Sequence, residues 1–274
     1  MANGNHSFGW GEGMKLAFNR SSLEFLYDRY NRKDFIHPDP LEFVHQYHET
    51  LDREIVGLIA ACLAYGRVQQ ILRSVALVLE RMQPSPAQFL LRSSPDRIES
   101  TFRDFKHRFT TGGELSALLG SVRSVVIRFG SMEACFLTGC RPGDATVLPA
   151  LENFSHQLRC GCGDRLEGIL LPRPMRGSAC KRLHLFLRWM ARKDEVDPGV
   201  WSGLDPARLM IPLDTHMFRI ARTLELTRRK QADMRAALEI TEAFRSICPE
   251  DPARYDFSLT RLGIREGVDI GDFL

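Results

Sequence analysis

The chain has 274 residues, and its 37 Lys and Arg against 34 Asp and Glu give a formal net charge of +3. Hydrophobic residues make up 44% and charged residues 26%, which excludes a disordered chain or a polycation and indicates a globular protein with a sizeable core. The longest apolar run, residues 56–66, is too short to span a bilayer, and the polar N-terminus has no apolar signal core. The seven cysteines, an odd number, are typical of reduced thiols. We therefore expect a cytoplasmic protein that does not contact membranes.

Helical periodicity recurs along the chain, whereas strand signals are nearly absent. In chain order the predicted helices are residues 21–30, 52–65, 68–82, 86–91, 113–129, 131–137, 148–158, 178–193, 214–226, 231–247 and 252–262. Ser85, Ser178 and Asp251 are expected to cap the helices that begin there. Prolines predict a loop at residues 31–40, and residues 201–213 are expected to be extended or irregular. The sequence therefore predicts an all-α fold, with residues 1–20 as a flexible tail and residues 21–274 as one unit.

Positive charge is concentrated in two segments. Residues 168–193 contain seven Lys or Arg and no acidic residue, and a second cluster lies at residues 219–230. The first cluster comprises Arg173, Arg176, Lys181, Arg182, Arg188, Arg192 and Lys193, and the second comprises Arg219, Arg222, Arg228, Arg229 and Lys230. Such clusters attract phosphate backbones, although a solvated basic face is the commoner explanation where no motif accompanies them.

An acid and an amine stand out as candidate catalytic groups. Asp214 precedes an amphipathic helix, where Asp is a preferred N-cap residue, and capping alone would explain it. A carboxylate at that place can also stabilise an oxocarbenium-like sugar or polarise a nucleophile. Lys181 lies 33 residues upstream in the first turn of an apolar helix among basic neighbours, which favours a nucleophilic neutral amine. Brought together, these two groups are sufficient to cut an N-glycosidic bond.

The run Pro212-Leu213-Asp214-Thr215-His216, together with Lys181, resembles the catalytic half of the helix-hairpin-helix DNA glycosylases. This superfamily contains endonuclease III and the 8-oxoguanine glycosylases. The similarity covers residues 171–222, with a weaker similarity at residues 52–70. Over its full length the chain is also similar to a bacterial family filed under a domain of unknown function. Members of that family share Gly-Ser-Ala-Cys-Lys-Arg-Leu followed by Pro-Leu-Asp-Thr-His.

The glycosylase resemblance implies a two-lobed helical fold with an interlobe cleft, in which lobe A spans about residues 51–193 and lobe B about 21–50 plus 194–274. It implies a base-excision repair enzyme that flips a damaged, oxidised base and cleaves its N-glycosidic bond. Asp214 and Lys181 would be catalytic, and Lys181 would form the Schiff base of an AP lyase. His216 would support the helix start. The implied partner is damaged double-stranded DNA, bound by a cytoplasmic, nucleoid-associated monomer without a cofactor.

The resemblance also assigns DNA-binding residues to the segment 171–180, which takes the place of the superfamily hairpin. The tight glycine pair of that hairpin is replaced by Arg173-Pro174-Met175-Arg176-Gly177. Gly177 and Ser178 remain to present backbone N–H groups to a phosphate. The positive charge of Arg173, Arg176 and Arg182 would add to this phosphate clamp.

Tyr65-Gly66-Arg67 interrupts two predicted helices at the place where the glycosylases carry residues that fill the gap left by a flipped nucleotide. The resemblance therefore assigns Tyr65 and Arg67 to DNA, while a plain helix–turn–helix corner explains the pattern equally well. The neighbouring basic run at residues 106–108 is expected to be a solvated loop.

The cysteine pattern predicts no metal site. Nothing after Cys248 could complete an iron–sulfur loop, and Cys135, Cys140, Cys160 and Cys162 are poorly spaced for structural zinc. Two other functions stay open besides DNA base excision. One is a non-catalytic nucleic-acid-binding protein of the same fold, and the other is an enzyme acting on RNA or a nucleoside.

Overall fold

A computed structural model describes residues 18–160 and 170–265, with side chains described as far as Arg261. The predicted all-α class is confirmed, because the described part contains twelve α-helices and one two-stranded hairpin. Residues 1–17 of the predicted tail and Cys162 lie outside the described residues. Within the described part, no helix is both long enough and apolar enough to cross a membrane.

The helices are α1 (Arg20–Tyr30), α2 (Thr50–Leu63), α3 (Val68–Glu80), α4 (Pro86–Arg92), α5 (Pro95–Phe102), α6 (Gly112–Phe129), α7 (Met132–Leu137), α8 (Leu148–Cys160), α9 (Lys181–Ala191), α10 (Thr215–Thr223), α11 (Met234–Ile247) and α12 (Asp256–Arg265). Short 3₁₀ helices lie at Lys33–Phe35, Pro40–Gln46, Pro174–Arg176 and Pro206–Arg208. Strand β1 (Lys106–His107) pairs antiparallel with β2 (Thr110–Thr111).

Helix α5 is an element that the periodicity did not predict. Its start carries a local signal, because the Ser94 side chain accepts a hydrogen bond from the Arg97 N–H at 3.2 Å and Pro95 occupies the first turn. The same Ser–Pro pair starts α4, where it was predicted correctly. A capping serine followed by proline therefore starts both helices.

Helix α12 begins four residues later than the capping pattern predicted. Asp251, the expected cap, instead accepts a hydrogen bond from Arg192 Nε at 2.7 Å. The intervening residues 252–255 form a turn, and the helix begins at Asp256. A distant cation has thus recruited the carboxylate that would locally have capped the helix.

Helix α2 is the centre of the hydrophobic core and is buried along most of its length. Its Gly57 allows α9 to approach closely, since a Cβ at this position would lie 2.9 Å from Met190 Cε and 3.5 Å from the Phe186 ring. Phe186 in turn packs edge-on against Trp201 with ring centroids 5.3 Å apart. Helix α9, which carries Lys181, is therefore anchored directly to the core.

The buried carboxylate of Glu54 on α2 binds the first N–H groups of α7. It accepts hydrogen bonds from the N–H groups of Met132 and Glu133 at 3.0 and 2.9 Å, and from Trp201 Nε1 at 2.6 Å. Burial raises the pKa of Glu54, while these donors oppose the shift. Glu54 thus ties α7 and the segment after α9 to the central helix.

Candidate active site

The structure brings the two predicted catalytic side chains together. Lys181 Nζ lies 3.8 Å from Asp214 Oδ2, and the two side chains are 31% and 27% exposed. Both line one open cavity of about 570 Å³. Separated by 33 positions in sequence, the amine and the carboxylate therefore face the same solvent-accessible space.

The loop before α9 determines where Lys181 lies. Gly177 adopts a positive φ of 83°, and its carbonyl accepts a hydrogen bond from the Met234 N–H at 3.0 Å. Ser178 forms an isolated β-bridge with Asp233, so the loop is bound to the start of α11. The predicted helix start at Ser178 is wrong for this reason, and α9 begins at Lys181.

Cys180, immediately before Lys181, adopts a left-handed conformation with φ 45° and ψ 36°. This conformation is uncommon for a residue with a Cβ and is concentrated at functional sites. The Cys180 side chain is buried, and burial raises the pKa of its thiol to about 11. The strained residue turns the chain sharply, so that Lys181 starts its helix at the cavity edge.

The two carboxylate oxygens of Asp214 have different contacts, one with its own helix and one in the cavity. Oδ1 accepts a hydrogen bond from the Met217 N–H at 2.8 Å and caps α10, as predicted, whereas Oδ2 faces Lys181. The capping bond fixes the carboxylate orientation because Asp214 is held at a helix start. The structural and the chemical interpretation of this residue are therefore compatible in one geometry.

The cavity has an apolar wall and a ring of polar groups. The apolar lining comprises Pro38, Pro40, Ala64, Val68, Ile71, Leu185, Leu213 and Ala232. The other lining residues are Asp39, Tyr65, Gly66, Lys181, Asp214, Thr215, His216 and Arg261. This composition suits a partly apolar ligand whose polar groups meet a few donors and acceptors.

His216 lies on the cavity wall and is exposed. Its ring makes no hydrogen bond to any of the described residues, and Asp214 rather than His216 holds the helix start. The imidazole is thus placed as a group facing the ligand space, one position after Thr215. The sequence had assigned it to supporting the helix.

Tyr65 forms a rigid part of the cavity wall. Its hydroxyl donates to the His107 carbonyl at 2.8 Å and lies 2.6 Å from Thr110 Oγ1. Its ring packs edge-on against the His107 ring with centroids 4.7 Å apart. Gly66 follows with φ 99°, and Arg67 is exposed at the start of α3. Between α2 and α3, Arg67 is therefore exposed at the surface, whereas Tyr65 is held in place by its hydrogen bonds.

Residues 106–111 form a β-hairpin. The solvated loop that was expected at residues 106–108 is therefore wrong for His107. His107 is fully buried, and its Nδ1 lies 2.8 Å from Ser74 Oγ. The hairpin tip is formed by Arg108, with φ 51°, and Phe109, which is 68% exposed. The Arg108 guanidinium lies 5.6 Å from the Phe109 ring centroid and 6.0 Å from that of Tyr65.

Phe109 was missed by the sequence analysis. A phenylalanine between a basic run and two threonines gives no helical periodicity, and only the hairpin places it at a tip. Arg108 contacts both Tyr65 and Phe109, and Gly66 leaves room for it, since a Cβ there would lie 2.6 Å from Arg108 Nη1. Arg108 therefore connects the exposed aromatic to Tyr65, a residue of the cavity wall.

These features lie within the region that matches a known family. Residues 39–265 of the 274 match the family described as "Protein of unknown function (DUF2400)". The chain belongs to this family. The predicted membership in a family of unknown function is thereby confirmed, and both Lys181 and Asp214 fall within the match. No curated protein and no solved structure matches the chain.

In this DUF2400 protein the first basic cluster does not form one continuous face. Arg188 and Arg192 are 2% and 3% exposed and are paired with acids inside the molecule. Arg182 Nη1 donates to the Cys62 carbonyl at 2.7 Å, and its guanidinium lies 5.2 Å from the Tyr65 ring centroid. The expectation of a phosphate-facing stripe through residue 193 is therefore wrong at Arg188 and Arg192.

The acids that pair with Arg188 and Arg192 come from the segment directly after α9 and from the region around the start of α12. Arg192 bonds Asp194 at 2.8 Å, Asp251 at 2.7 Å and also Asp197. Arg188 bonds Asp197 at 3.1 Å, and it also bonds Asp256 at the start of α12. Asp251 and Asp256 are about 60 residues away from these arginines in sequence, so no local pattern predicted the complete network.

The buried network interacts electrostatically with Asp214, the candidate catalytic acid, through Asp256. The pKa of Asp256 is raised to about 6, chiefly by burial; Arg188 opposes this shift, and the charge of Asp214 adds to it. Asp214 and Asp256 thus interact electrostatically although one faces the cavity and the other is buried. Helix α10 packs on α12, which brings the two acids near each other.

Exposed positive charge near the site comes instead from α10 and the turn after it. Arg219, Arg222, Arg228 and Lys230 are exposed, whereas Arg229 bonds Asp233 at 2.5 Å. In the 171–180 segment Arg176, Gly177 and Ser178 are exposed and Arg173 is half-buried. Within the described residues, no group of three or more His, Cys, Asp or Glu side chains is placed to hold a metal ion.

Proposed function

We propose that this protein is a DNA glycosylase with AP-lyase activity, which extrudes a damaged base into the cavity and cleaves its N-glycosidic bond. The observation that carries the proposal is the 3.8 Å approach of Lys181 Nζ and Asp214 Oδ2 at the wall of a shared cavity. A purely binding protein needs neither group in this arrangement. The resemblance of the Asp214 and Lys181 motifs to the helix-hairpin-helix glycosylases supports the same reaction.

In the proposed reaction the neutral Lys181 amine attacks C1′ of the sugar. The Nζ–C1′ bond forms, and the C1′–N bond breaks with its electron pair leaving on the base, which takes up a proton. Opening of the sugar ring gives an imine between Nζ and C1′. Loss of a C2′ proton then breaks the C3′–O bond and cleaves the strand.

Asp214 has two tasks in this reaction. While the C1′–N bond breaks, the ionised carboxylate stabilises the positive charge that develops on the sugar, and Oδ2 then accepts the proton that Nζ loses once the Nζ–C1′ bond has formed. Because Oδ1 is held by the Met217 N–H, the charge is fixed before the substrate binds. Preorganised charge of this kind costs no reorganisation during the reaction.

Duplex DNA would contact the rim of the cavity. The exposed Arg219 and Arg222 on α10, with Arg176 and the backbone at Gly177 and Ser178, supply phosphate contacts. We assign Phe109, 68% exposed at the hairpin tip, to insertion into the base stack. Extruding a nucleotide costs a few kcal/mol, part of which an inserted aromatic offsets.

Trapping with borohydride tests the chemistry directly, because borohydride reduces an enzyme–DNA imine to a stable crosslink, whereas water activated by Asp214 leaves no adduct. Duplexes carrying 8-oxoguanine, oxidised pyrimidines, uracil, alkylated bases or an abasic site are incubated with the protein. We expect a crosslink with at least one oxidised-base duplex, and its loss in Lys181→Met but not in the matched control Lys193→Met. The Lys181 pair is partly exposed, so Lys181→Met should cost less than about 1 kcal/mol of stability.

The outcomes of trapping separate the alternatives. Base release without a crosslink would assign Lys181 to phosphate binding and leave a monofunctional glycosylase that depends on Asp214. Binding of DNA without release of any base would overturn the enzymatic proposal and favour a non-catalytic DNA-binding protein. Failure to bind duplex DNA even at low salt would favour an RNA or nucleoside substrate.

DNA binding itself distinguishes the phosphate contacts from the inserted aromatic. The logarithm of affinity should fall with the logarithm of salt by about 0.9 per phosphate contact. We expect Arg219→Ala to reduce this slope by about one contact, measured by fluorescence anisotropy. Phe109→Ala should weaken binding about 5- to 30-fold by loss of stacking without changing the slope. A slope change in Phe109→Ala would contradict its assignment to the base stack.

A further inference from the structure

A second carboxylate, that of Asp39, faces the same cavity as Lys181 and Asp214. Asp39 comes from the opposite end of the chain, in the segment between α1 and α2. Its backbone is extended, and it caps the 3₁₀ helix Pro40–Gln46. The side chain is 26% exposed. The reaction proposed above uses Asp214 and Lys181 and leaves this carboxylate without a role.

Two donors fix the orientation of Asp39. Oδ1 accepts a hydrogen bond from the Leu41 N–H at 3.0 Å, and Oδ2 accepts one from Arg261 Nη2 at 2.5 Å. Arg261 is itself buried, and its guanidinium lies 4.7 Å from the Phe257 ring centroid. Helix α12 therefore holds the Asp39 carboxylate at the cavity wall through Arg261.

Each carboxylate oxygen can accept two hydrogen bonds. These contacts engage one acceptor position on each Asp39 oxygen, so both oxygens retain capacity for a donor from the cavity. Two adjacent acceptors of one negative group match two adjacent N–H donors on a planar ligand. Because the charge of Asp39 is offset by Arg261, this pair offers no net positive charge to a phosphate, which favours a base over the backbone at this wall.

We propose that Asp39 is the residue that reads the extruded base, and that it selects a base with two adjacent N–H donors on one edge. Guanine-type bases, including 8-oxoguanine, present N1–H and the 2-amino group side by side. Uracil and thymine place one N–H between two carbonyl oxygens, and adenine places an unprotonated N1 beside its amino group. Both arrangements direct lone pairs at the carboxylate. This inference rests on the proposed glycosylase function, whose substrate class it names.

The test removes the contact between Asp39 and the 2-amino group in two ways, by changing the base in the substrate and by substituting Asp39 in the protein. Excision rates are compared for duplexes carrying 8-oxoguanine or 8-oxohypoxanthine, which lacks only the 2-amino group. We expect the unsubstituted protein to prefer 8-oxoguanine by at least about tenfold, since unpaired polar groups in a site built for them discriminate strongly. In Asp39→Asn this preference should fall to about one, whereas the exposed control Asp28→Asn should retain it.

The substrate comparison in the unsubstituted protein remains informative if Asp39→Asn disturbs the fold through its bond with Arg261. Equal rates for the two duplexes would overturn the assignment of Asp39 while leaving the glycosylase function in place. An unchanged preference in a folded Asp39→Asn variant would overturn it as well.

A binding measurement separates failure of the inference from failure of the proposed function. Should the protein release no base and form no crosslink, the glycosylase function fails. Calorimetric titration with 8-oxo-2′-deoxyguanosine and 8-oxo-2′-deoxyinosine then tests Asp39 without turnover. Tighter binding of the guanosine, lost in Asp39→Asn, supports Asp39 as the base-reading residue. Equal binding of the two nucleosides by the unsubstituted protein rejects it.

Discussion

Helix α9 carries two charged regions that differ in almost every respect. At its first residue, Lys181 lies 3.8 Å from Asp214, and both side chains are about 30% exposed. Near its last residues, Arg188 and Arg192 are almost completely buried and bonded to Asp194, Asp197, Asp251 and Asp256. Lys181 lies seven residues before Arg188 and eleven before Arg192, so one helix connects a loose, accessible ion pair to a buried network of several charges.

The difference indicates different tasks. A partly exposed pair at 3.8 Å contributes little to stability, but it leaves both groups able to exchange partners with a ligand. A buried network must satisfy every charge, since an unpaired buried charge is costly. It therefore fixes α9 against α12 and the segment after α9. The network holds the helix in place, and the exposed end is available for chemistry.

Removal of a buried cation is expected to have the largest effect on stability. Arg192→Met leaves three carboxylates without the cation that they share, and breaking a buried pair of this kind typically costs about 3–5 kcal/mol. Urea unfolding measures this loss. The adjacent exposed Lys193→Met should change the free energy of unfolding by no more than about 0.5 kcal/mol. A loss below about 1 kcal/mol for Arg192→Met would show that the network is not more stabilising than a surface pair.

His184 lies between the two charged regions and predicts a pH dependence. Its ring is buried without a hydrogen-bond partner among the described residues, and burial lowers its pKa from 6.5 to about 4. Between these values the unfolded chain binds a proton that the folded protein does not, so stability falls as the pH is lowered from about 6.5 to 4. The full effect of such a shift is on the order of 3 kcal/mol.

Urea unfolding of His184→Leu at pH 7 and at pH 4.5 tests this prediction. The substitution should reduce the acid-induced loss of stability, whereas the exposed control His48→Asn should leave most of it in place. An acid-induced loss in His184→Leu as large as that of the unsubstituted protein would contradict it.

Substitution of Asp214 should have the smallest effect on stability and a large effect on activity. Asp214→Ala removes the Met217 capping bond, which typically costs about 1 kcal/mol. Asp214→Asn retains a capping oxygen and should cost less than half of that, because Asn caps helices as well as Asp. Both variants should bind DNA and lose most base release. Activity retained in Asp214→Asn would assign the residue to helix capping alone.

Local patterns were sufficient to predict the helical fold and the capping role of Asp214. Serine–proline pairs and 3.6-residue periodicity depend on neighbouring residues, so most helix starts could be predicted. Ser178 and Asp251 were predicted as caps but are engaged elsewhere, because Asp233 and Arg192 bind them from distant segments. A local capping preference of about 1 kcal/mol is readily overridden by such contacts.

The sequence by itself determined most of the helices, the family and the choice of Lys181 and Asp214 as candidates, because residue type, spacing and motif are properties of a single stretch of chain. Only the tertiary structure decided which charges are accessible. In the fold, Arg188 and Arg192 are buried and Phe109 is exposed at a hairpin tip. Tyr65 is held in the cavity wall, and Asp39 lies at the same cavity. These outcomes depend on contacts between segments that are far apart in sequence, and such contacts leave no trace in local periodicity.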